Sequence, residues 1–317
     1  MRAQLKKRQR NRRMMIVAIV VVLGVILVVG AYYLSTLGTP LEKQIGQQVS
    51  SSDYNGLYSV SQTSYGNTNQ SMMKRITPFS GTPFTSGGKP VILYIGADYC
   101  PYCAFQRWPL ILALMRFGNF TNLSYMLSSS TDVYSDSPTF TFYGSTYKSN
   151  YVVFQGYEQE DRSQNPLQTV PSNYTSVFNQ FGASYPFVDF GNKYTLGGAL
   201  YFPDQLDGKN WTQIIHLLST NNTLSNQVIT SENAITAAIC KVATTAPSSV
   251  CSNGSIQSLS VLLTAYHPSV GTTTAGTILG NPSSLGHAQD SLNAWAANAY
   301  DELRGTSATE AQHSRLL

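Results

Sequence analysis

Two pairs of cysteines are the residues of this 317-residue chain whose type and spacing indicate chemistry. Cys100 and Cys103 stand in a Cys-Pro-Tyr-Cys segment, and Cys240 and Cys251 are separated by ten residues. A C-x-x-C pair that opens a helix can cycle between dithiol and disulfide: the first thiol ionises readily and attacks, and the second resolves the mixed disulfide. The spacing alone is weak evidence, so the elements around it decide its meaning.

Those elements favour a redox pair. A continuous apolar, β-branched run at residues 91–95 predicts a buried central strand, and residues 105–117 predict a largely buried helix. Pro101 suits the first turn of that helix. Cys100 then lies at the helix N-terminus, where backbone N–H groups and the helix dipole favour a thiolate, while Cys103 lies one turn inside.

The remaining pattern predicts an α/β fold with a mixed sheet. The order is strand, helix, strands, helix, hairpin and helices. The predicted strands are residues 123–127, 139–143 and 151–154 and a hairpin of 187–190 with 194–201; the predicted helices are 171–181, 211–218 and 231–242, the last with Ser231 as its N-cap.

The N-terminus predicts a membrane anchor. Residues 1–13 hold seven of the twenty basic residues and no acid, and residues 14–34 are uncharged and long enough to cross a bilayer as a helix. The positive-inside rule places the basic tail in the cytoplasm and the rest of the chain outside. A cleaved signal peptide is the alternative, but its apolar region would be shorter and end at a small-x-small site.

The rest of the chain divides by composition. Residues 35–88 are polar and predict a stalk, residues 89–252 predict the extracytoplasmic domain, and residues 253–317 are rich in Ser, Thr and Gly with one helix at 288–304. Beyond the tail the chain carries thirteen basic and sixteen acidic residues, so nothing favours nucleic-acid binding by the domain. No phosphate loop or dinucleotide fingerprint is present, and no cofactor is expected.

Two further observations agree with an extracytoplasmic domain. All four cysteines follow the apolar segment, where disulfides can persist. Glycosylation requires the same compartment. Seven Asn-x-Ser/Thr sequons are present, at Asn69, Asn119, Asn122, Asn173, Asn210, Asn221 and Asn253.

The segment from Gly96 to Cys103 resembles the active-site segment of the thioredoxin superfamily, and its Pro-Tyr dipeptide is the one typical of glutaredoxins. The segment 184–190 with the following strand resembles that superfamily's cis-proline loop and terminal hairpin. The resemblance, over residues 88–245, implies that Pro186 is cis. It also implies a set of residues that contact the substrate, namely Tyr185, Pro186, Pro101 and Tyr102. The chain also resembles an archaeal membrane-anchored family of unknown function.

The sequence departs from the superfamily pattern in two places. Where many thioredoxins carry a buried acid, six residues before the first cysteine, this chain has Tyr94; Asp98 is the nearest acid. An insertion around residues 130–170 either covers the substrate or decorates an edge of the domain. Within it, the charged run 158–162 is interpreted as a solvated loop.

Cys240 and Cys251 admit three interpretations. A structural disulfide closing a short loop is favoured; a relay that exchanges electrons with the first pair is the alternative. Joint zinc binding by the four cysteines is disfavoured because the spacing is unlike a zinc knuckle and no His clusters with either pair. We therefore expect no metal site.

The function expected from these features is thiol–disulfide exchange with secreted or surface proteins, as oxidase, isomerase or reductase. The expected partners are protein dithiols and disulfides, an unidentified redox partner, and the bilayer through residues 14–34. The alternative is a non-enzymatic binding module in which Cys100 and Cys103 stay permanently oxidised.

Overall fold

The computed structural model describes residues 2–35, 41–66, 68–201 and 203–265. The predicted helix at 288–304, and the segment 253–317 from position 266 onward, lie outside these residues. In the described part the helices are α1 (Arg2–Ser35), α2 (Ser51–Thr63), α3 (Gln70–Met73), α4 (Pro101–Met115), α5 (Ser172–Gln180), α6 (Trp211–Leu218), α7 (Thr223–Val242), α8 (Ser248–Cys251) and α9 (Gly254–Ala265). The strands are β1 (Ile76–Pro78), β2 (Thr85–Ser86), β3 (Lys89–Gly96), β4 (Gly118–Thr121), β5 (Ser124–Leu127), β6 (Pro138–Thr141), β7 (Thr146–Ser149), β8 (Val153–Glu158), β9 (Phe187–Phe190) and β10 (Tyr194–Gly197).

Helix α1 contains the predicted membrane span. Its most apolar stretch, Arg13–Gly30, has a mean hydropathy of 2.8, and none of it is buried inside the protein. A helix rises 1.5 Å per residue, so the 34 residues of α1 are long enough to cross the roughly 30 Å hydrocarbon layer. Length and composition therefore fit a single-pass anchor.

The central sheet is mixed, as the sequence predicted. Strand β3 runs parallel to β8 and antiparallel to β9, and β10 and β1 extend the sheet beyond β9. The short β2 pairs with the start of β3. Two separate two-stranded sheets pair β4 with β7 and β5 with β6.

Strand β3 is buried on both faces, which explains its continuous apolar run. Successive side chains point to opposite faces of a strand. Ile92 and Tyr94 join the large core that contains residues of α4 and α7, whereas Leu93 and Ile95 pack in a second core with Phe178 of α5. The sheet is therefore flanked by helices on both faces.

The predicted stalk at residues 35–88 is wrong for most of its length. Helix α2 packs against α4 and α6, with Leu57 and Val60 buried, and β1 is a strand of the central sheet. The side chain of Ser50 caps α2 by accepting a hydrogen bond from the Asp53 N–H at 3.1 Å. The polar composition hid a buried stripe at helical spacing, formed by Asp53, Leu57 and Val60.

Helix α7 begins eight residues earlier than predicted. Asn222 caps it by accepting a hydrogen bond from the Ser225 N–H at 3.0 Å, and Ser231, the predicted N-cap, lies buried inside the helix. The Ser231 hydroxyl donates instead to the carbonyl of Gln227 at 2.8 Å. A buried Ser can continue a helix in this way because the preceding turn accepts its hydrogen bond.

Candidate redox site

The cysteine pair lies where the central strand passes into a helix. Strand β3 ends at Gly96, and Cys100 is the N-cap of α4, with its Sγ accepting a hydrogen bond from the Cys103 N–H at 3.3 Å. Both thiols are free. Cys100 is 7% exposed and Cys103 is fully buried, so solvent and substrates reach the pair through Cys100.

The surroundings separate the acidities of the two thiols. A hydrogen bond from the Cys103 thiol is the largest cause that lowers the pKa of Cys100, and backbone N–H groups of the first turn and the charge of Arg107 act in the same direction against burial. Burial raises the pKa of Cys103 well above its usual value, and its hydrogen bond to Cys100 adds to the rise. Cys100 is therefore the better nucleophile and Cys103 the group held as a thiol.

Beneath the pair lies a fully buried arginine. The guanidinium of Arg107, one turn after Cys103, donates from Nε to Glu158 Oε1 at 2.9 Å and from Nη2 to Glu158 Oε2 at 2.6 Å. Nη2 also donates to the carbonyl of Ala97 at 2.8 Å and lies 3.5 Å from Asp98 Oδ1. These bonds fix α4, the end of β8 and the loop before Cys100 to one another.

The sequence interpretation of the charged run 158–162 as solvated is wrong for its first residue. Glu158 is the last residue of β8 and has no exposed surface, whereas Glu160 is partly exposed and Arg162 pairs with Asp136 and Glu42 at the surface. A signal for the buried pair was present. Arg107 stands in an otherwise apolar helix, and a buried cation requires a buried anion.

Asp98 completes the buried charges. Burial is the main cause that raises its pKa to about 7; the charge of Glu158 adds to this and the charge of Arg107 opposes it. A group with this pKa exchanges protons near neutral pH, although Asp98 faces Arg107 rather than either sulfur in the recorded contacts.

Tyr94 occupies the position where the resemblance implies an acid. Its ring is fully buried, and its hydroxyl lies beside the Cys103 thiol, against which burial and the thiol both raise the pKa of Tyr94. A β-carbon at Gly96 would overlap the Tyr94 hydroxyl and lie 3.0 Å from Cys103 Sγ. The absence of a side chain at Gly96 thus leaves room for the phenol and the thiol together.

The segment before β9 lies next to the cysteines. The Tyr185–Pro186 peptide bond is cis, the isomer that the resemblance implies. Tyr185 packs against the cluster formed by Cys100, Cys103 and Ala97, and its hydroxyl donates to Gln159 Oε1 at 2.9 Å. Tyr185 and Pro186 therefore flank the pair on the side opposite the start of α4.

The two residues between the cysteines have different surroundings. Pro101 is buried in the first turn of α4, whereas Tyr102 is 43% exposed. The Tyr102 ring meets the edge of Tyr134 with centroids 6.2 Å apart. Tyr134 belongs to the insertion, so part of the insertion lies beside the cysteine pair.

Cys240 and Cys251 form a disulfide that joins the last turn of α7 to α8, with 5.6 Å between their Cα atoms. Both pack against the large core, whereas Cys100 and Cys103 form a separate cluster. The two pairs are therefore not in contact.

The matched family covers the site. A family model described as a domain of unknown function, DUF929, matches residues 75–241, just over half of the chain. The chain belongs to this family. No curated protein and no solved structure matches it. The DUF929 match begins just before β1 and ends within α7, so it includes both site cysteines and Arg107 but neither α1, α2 nor Cys251.

Proposed function

We propose that the chain is a membrane-anchored thiol–disulfide oxidoreductase with a thioredoxin-like domain outside the cytoplasm. The observation that carries the proposal is the asymmetry of the pair. Cys100 is partly accessible, accepts a hydrogen bond from the Cys103 N–H and has a lowered pKa, whereas Cys103 is sealed and has a raised pKa. An exposed nucleophile and a shielded resolving thiol are what disulfide exchange requires.

The reaction follows from this geometry. The Cys100 thiolate attacks one sulfur of a substrate disulfide, forming a mixed disulfide and releasing the first substrate sulfur as a thiolate, which takes a proton from water. Cys103 then loses its proton and attacks Cys100 Sγ, which forms the Cys100–Cys103 disulfide and releases the second substrate sulfur. The substrate gains two electrons and the protein loses two; the reverse sequence oxidises a substrate dithiol.

The thioredoxin-like assignment is supported by the order of elements and the position of the pair. A buried central strand leads into a C-x-x-C that opens a helix, and an antiparallel hairpin of β9 and β10 brings Tyr185 and Pro186 beside it. The extracytoplasmic side is supported by the basic tail, the positive-inside rule and the Cys240–Cys251 disulfide.

The test is exchange by the full-length chain in neutral detergent. The reduced protein should reduce bis(2-hydroxyethyl) disulfide with second-order kinetics, and iodoacetamide should label Cys100 at neutral pH far faster than Cys103. Cys100→Ser should abolish both reactions, whereas Cys103→Ser should still be labelled and should accumulate a mixed disulfide at Cys100.

The alternative of a binding module with a permanently oxidised pair predicts a different result. In that case the pair would resist dithiothreitol, and reduced protein would neither exchange with the small disulfide nor be labelled faster at Cys100. The Cys240→Ser/Cys251→Ser variant serves as the control, because a signal that depends on the second pair would be lost in it.

A further inference from the structure

Two acidic side chains border the loop that carries Cys100. Glu160 lies next to it because the Asp98 N–H donates to the Glu160 carbonyl at 2.9 Å. Asp132 follows a segment held against the same loop, since the Ser129 N–H donates to the carbonyl of Tyr99 at 2.8 Å. Asp132 is exposed and Glu160 partly exposed, so both carboxylates are open to an approaching molecule.

The charges felt at this rim are negative. Burial is the main cause that raises the pKa of Tyr99, and the further causes are Glu160, the two cysteines and Asp132. Burial also raises the pKa of Tyr185 most, with Glu160 as the largest charge acting on it. Both rings thus report an anionic surface around Cys100.

The cations near the site are already engaged. Arg107 is buried against Glu158 and Asp98, and Arg162 pairs with Asp136 and Glu42. Within the part of the chain that the structure describes, no ion pair joins Glu160 or Asp132 to a cation. The unbalanced charge at the rim is therefore negative.

Aromatic faces accompany the acids. Tyr102 is 43% exposed, and Tyr99 and Tyr185 are partly exposed beside the cysteine cluster. A cation is attracted both to carboxylates and to the faces of tyrosine rings. The rim thus presents two features that favour the same kind of ligand.

We propose that the site selects disulfides that carry a cationic group next to the sulfur, such as a cysteine flanked by Lys or Arg in a polypeptide, with Glu160 and Asp132 as specificity-determining residues. This inference rests on the proposed exchange at Cys100. The carboxylates take no part in bond making; they raise the local concentration of cationic disulfides and repel anionic ones.

The test compares three small disulfides of different charge with the reduced full-length chain in neutral detergent. Cystamine carries two positive charges, bis(2-hydroxyethyl) disulfide none, and 3,3′-dithiodipropionate two negative charges. Each rate constant is divided by that of the same disulfide with dithiothreitol, which removes differences in leaving-group reactivity. At low ionic strength we expect normalised rates to fall in the order cystamine, neutral, anionic, with about tenfold between the extremes.

High salt and two variants should reduce this preference. In ~0.5 M salt the ratio should fall several-fold, because the Debye length shortens to a few Å. Glu160→Gln and Asp132→Asn should each lower the ratio by about threefold, whereas Asp207→Asn should leave it unchanged. Asp207 is an exposed acid that is not among the charges acting on Tyr99 or Tyr185.

The outcomes separate the two proposals. Equal normalised rates for the three disulfides, or a charge preference that survives in Glu160→Gln/Asp132→Asn, would overturn the specificity while leaving exchange intact. Failure of the reduced chain to react with any of the three would overturn the proposed function itself.

Discussion

Arg107 connects three acceptors beneath the cysteine pair, and its charge lowers the pKa of Cys100. The Arg107→Met variant should lose about 3–5 kcal/mol of unfolding free energy, because Glu158 and Asp98 remain buried without their cation. The same variant should be alkylated more slowly at Cys100 at neutral pH, since the pKa of that thiol rises. Denaturant unfolding and iodoacetamide kinetics measure the two effects.

The matched control is Arg162→Met. Arg162 also pairs with two carboxylates, on Glu42 and Asp136, but its side chain is 23% exposed, so its loss should cost at most about 1 kcal/mol. If both variants lost the same small amount, the buried pair would not hold the site together as described.

At the residue scale, the sequence identified the chemistry but not what lies beneath it. Cys100 and Cys103 were recognisable because their spacing and flanking elements are local in sequence. Glu158 was not, because its burial depends on the parallel pairing of β8 with β3, which brings it from fifty-one residues beyond Arg107. The charge of a residue says nothing of its burial until its partner is known.

Helix α2 belongs to the domain through an apolar stripe that faces α4 and α6. Leu57→Ala should destabilise the chain by about 2–5 kcal/mol, because Leu57 has no exposed surface and its removal leaves a cavity. Tyr58→Ala on the exposed side of α2 is the control and should cost far less. A Leu57→Ala variant with unchanged denaturant midpoint would mean that residues 51–63 form a stalk after all.

Helices α4 and α7 share a second buried ion pair with an expected pH signature. Arg116 Nη2 lies 3.0 Å from Glu232 Oε1, and burial raises the pKa of Glu232 to about 8. The folded pKa exceeds the unfolded value of about 4.3, so the folded state binds more protons between these values. Stability should therefore be greatest near pH 4 and fall as the pH rises to about 8.

The Glu232→Gln variant isolates this contribution. Its free energy of unfolding should vary less between pH 5 and 8 than that of the parent, by a few kcal/mol at ~1.4 kcal/mol per pKa unit. Asp98 and Asp189, whose pKa values burial raises to about 7, contribute in the same direction and keep some slope in the variant. An unchanged slope would show that Glu232 is ionised in the folded protein.

Element boundaries were predictable where apolar periodicity is strong. Helices α5 and α6 and the hairpin of β9 and β10 lie within a few residues of their predicted positions. Helix α2 and the first half of α7 were missed because their polar residues serve structural roles: Ser50 and Asn222 cap, and Ser231, Asn233 and Thr236 are buried. Strand β7 was missed because its short polar sequence gains order from pairing with β4.

The whole molecule carries one disulfide that the structure keeps apart from the candidate site. Cys240→Ser/Cys251→Ser should lower the free energy of unfolding by about 2–4 kcal/mol, since the link between α7 and α8 is lost. Exchange of small disulfides by Cys100 should keep its rate at temperatures where the variant is folded. A folded variant that reacts once but no longer turns over would instead support the relay interpretation.

The central claim is that Cys100 and Cys103 form a reversible redox couple, and its most direct test is the reduction potential of that pair. The full-length chain would be equilibrated in glutathione buffers, and the fraction of each pair oxidised measured by alkylation and mass spectrometry. We predict a reversible two-electron couple between about −120 and −270 mV that disappears in Cys100→Ser. A pair that stays oxidised below about −300 mV, or thiols that never form a disulfide, would contradict the account.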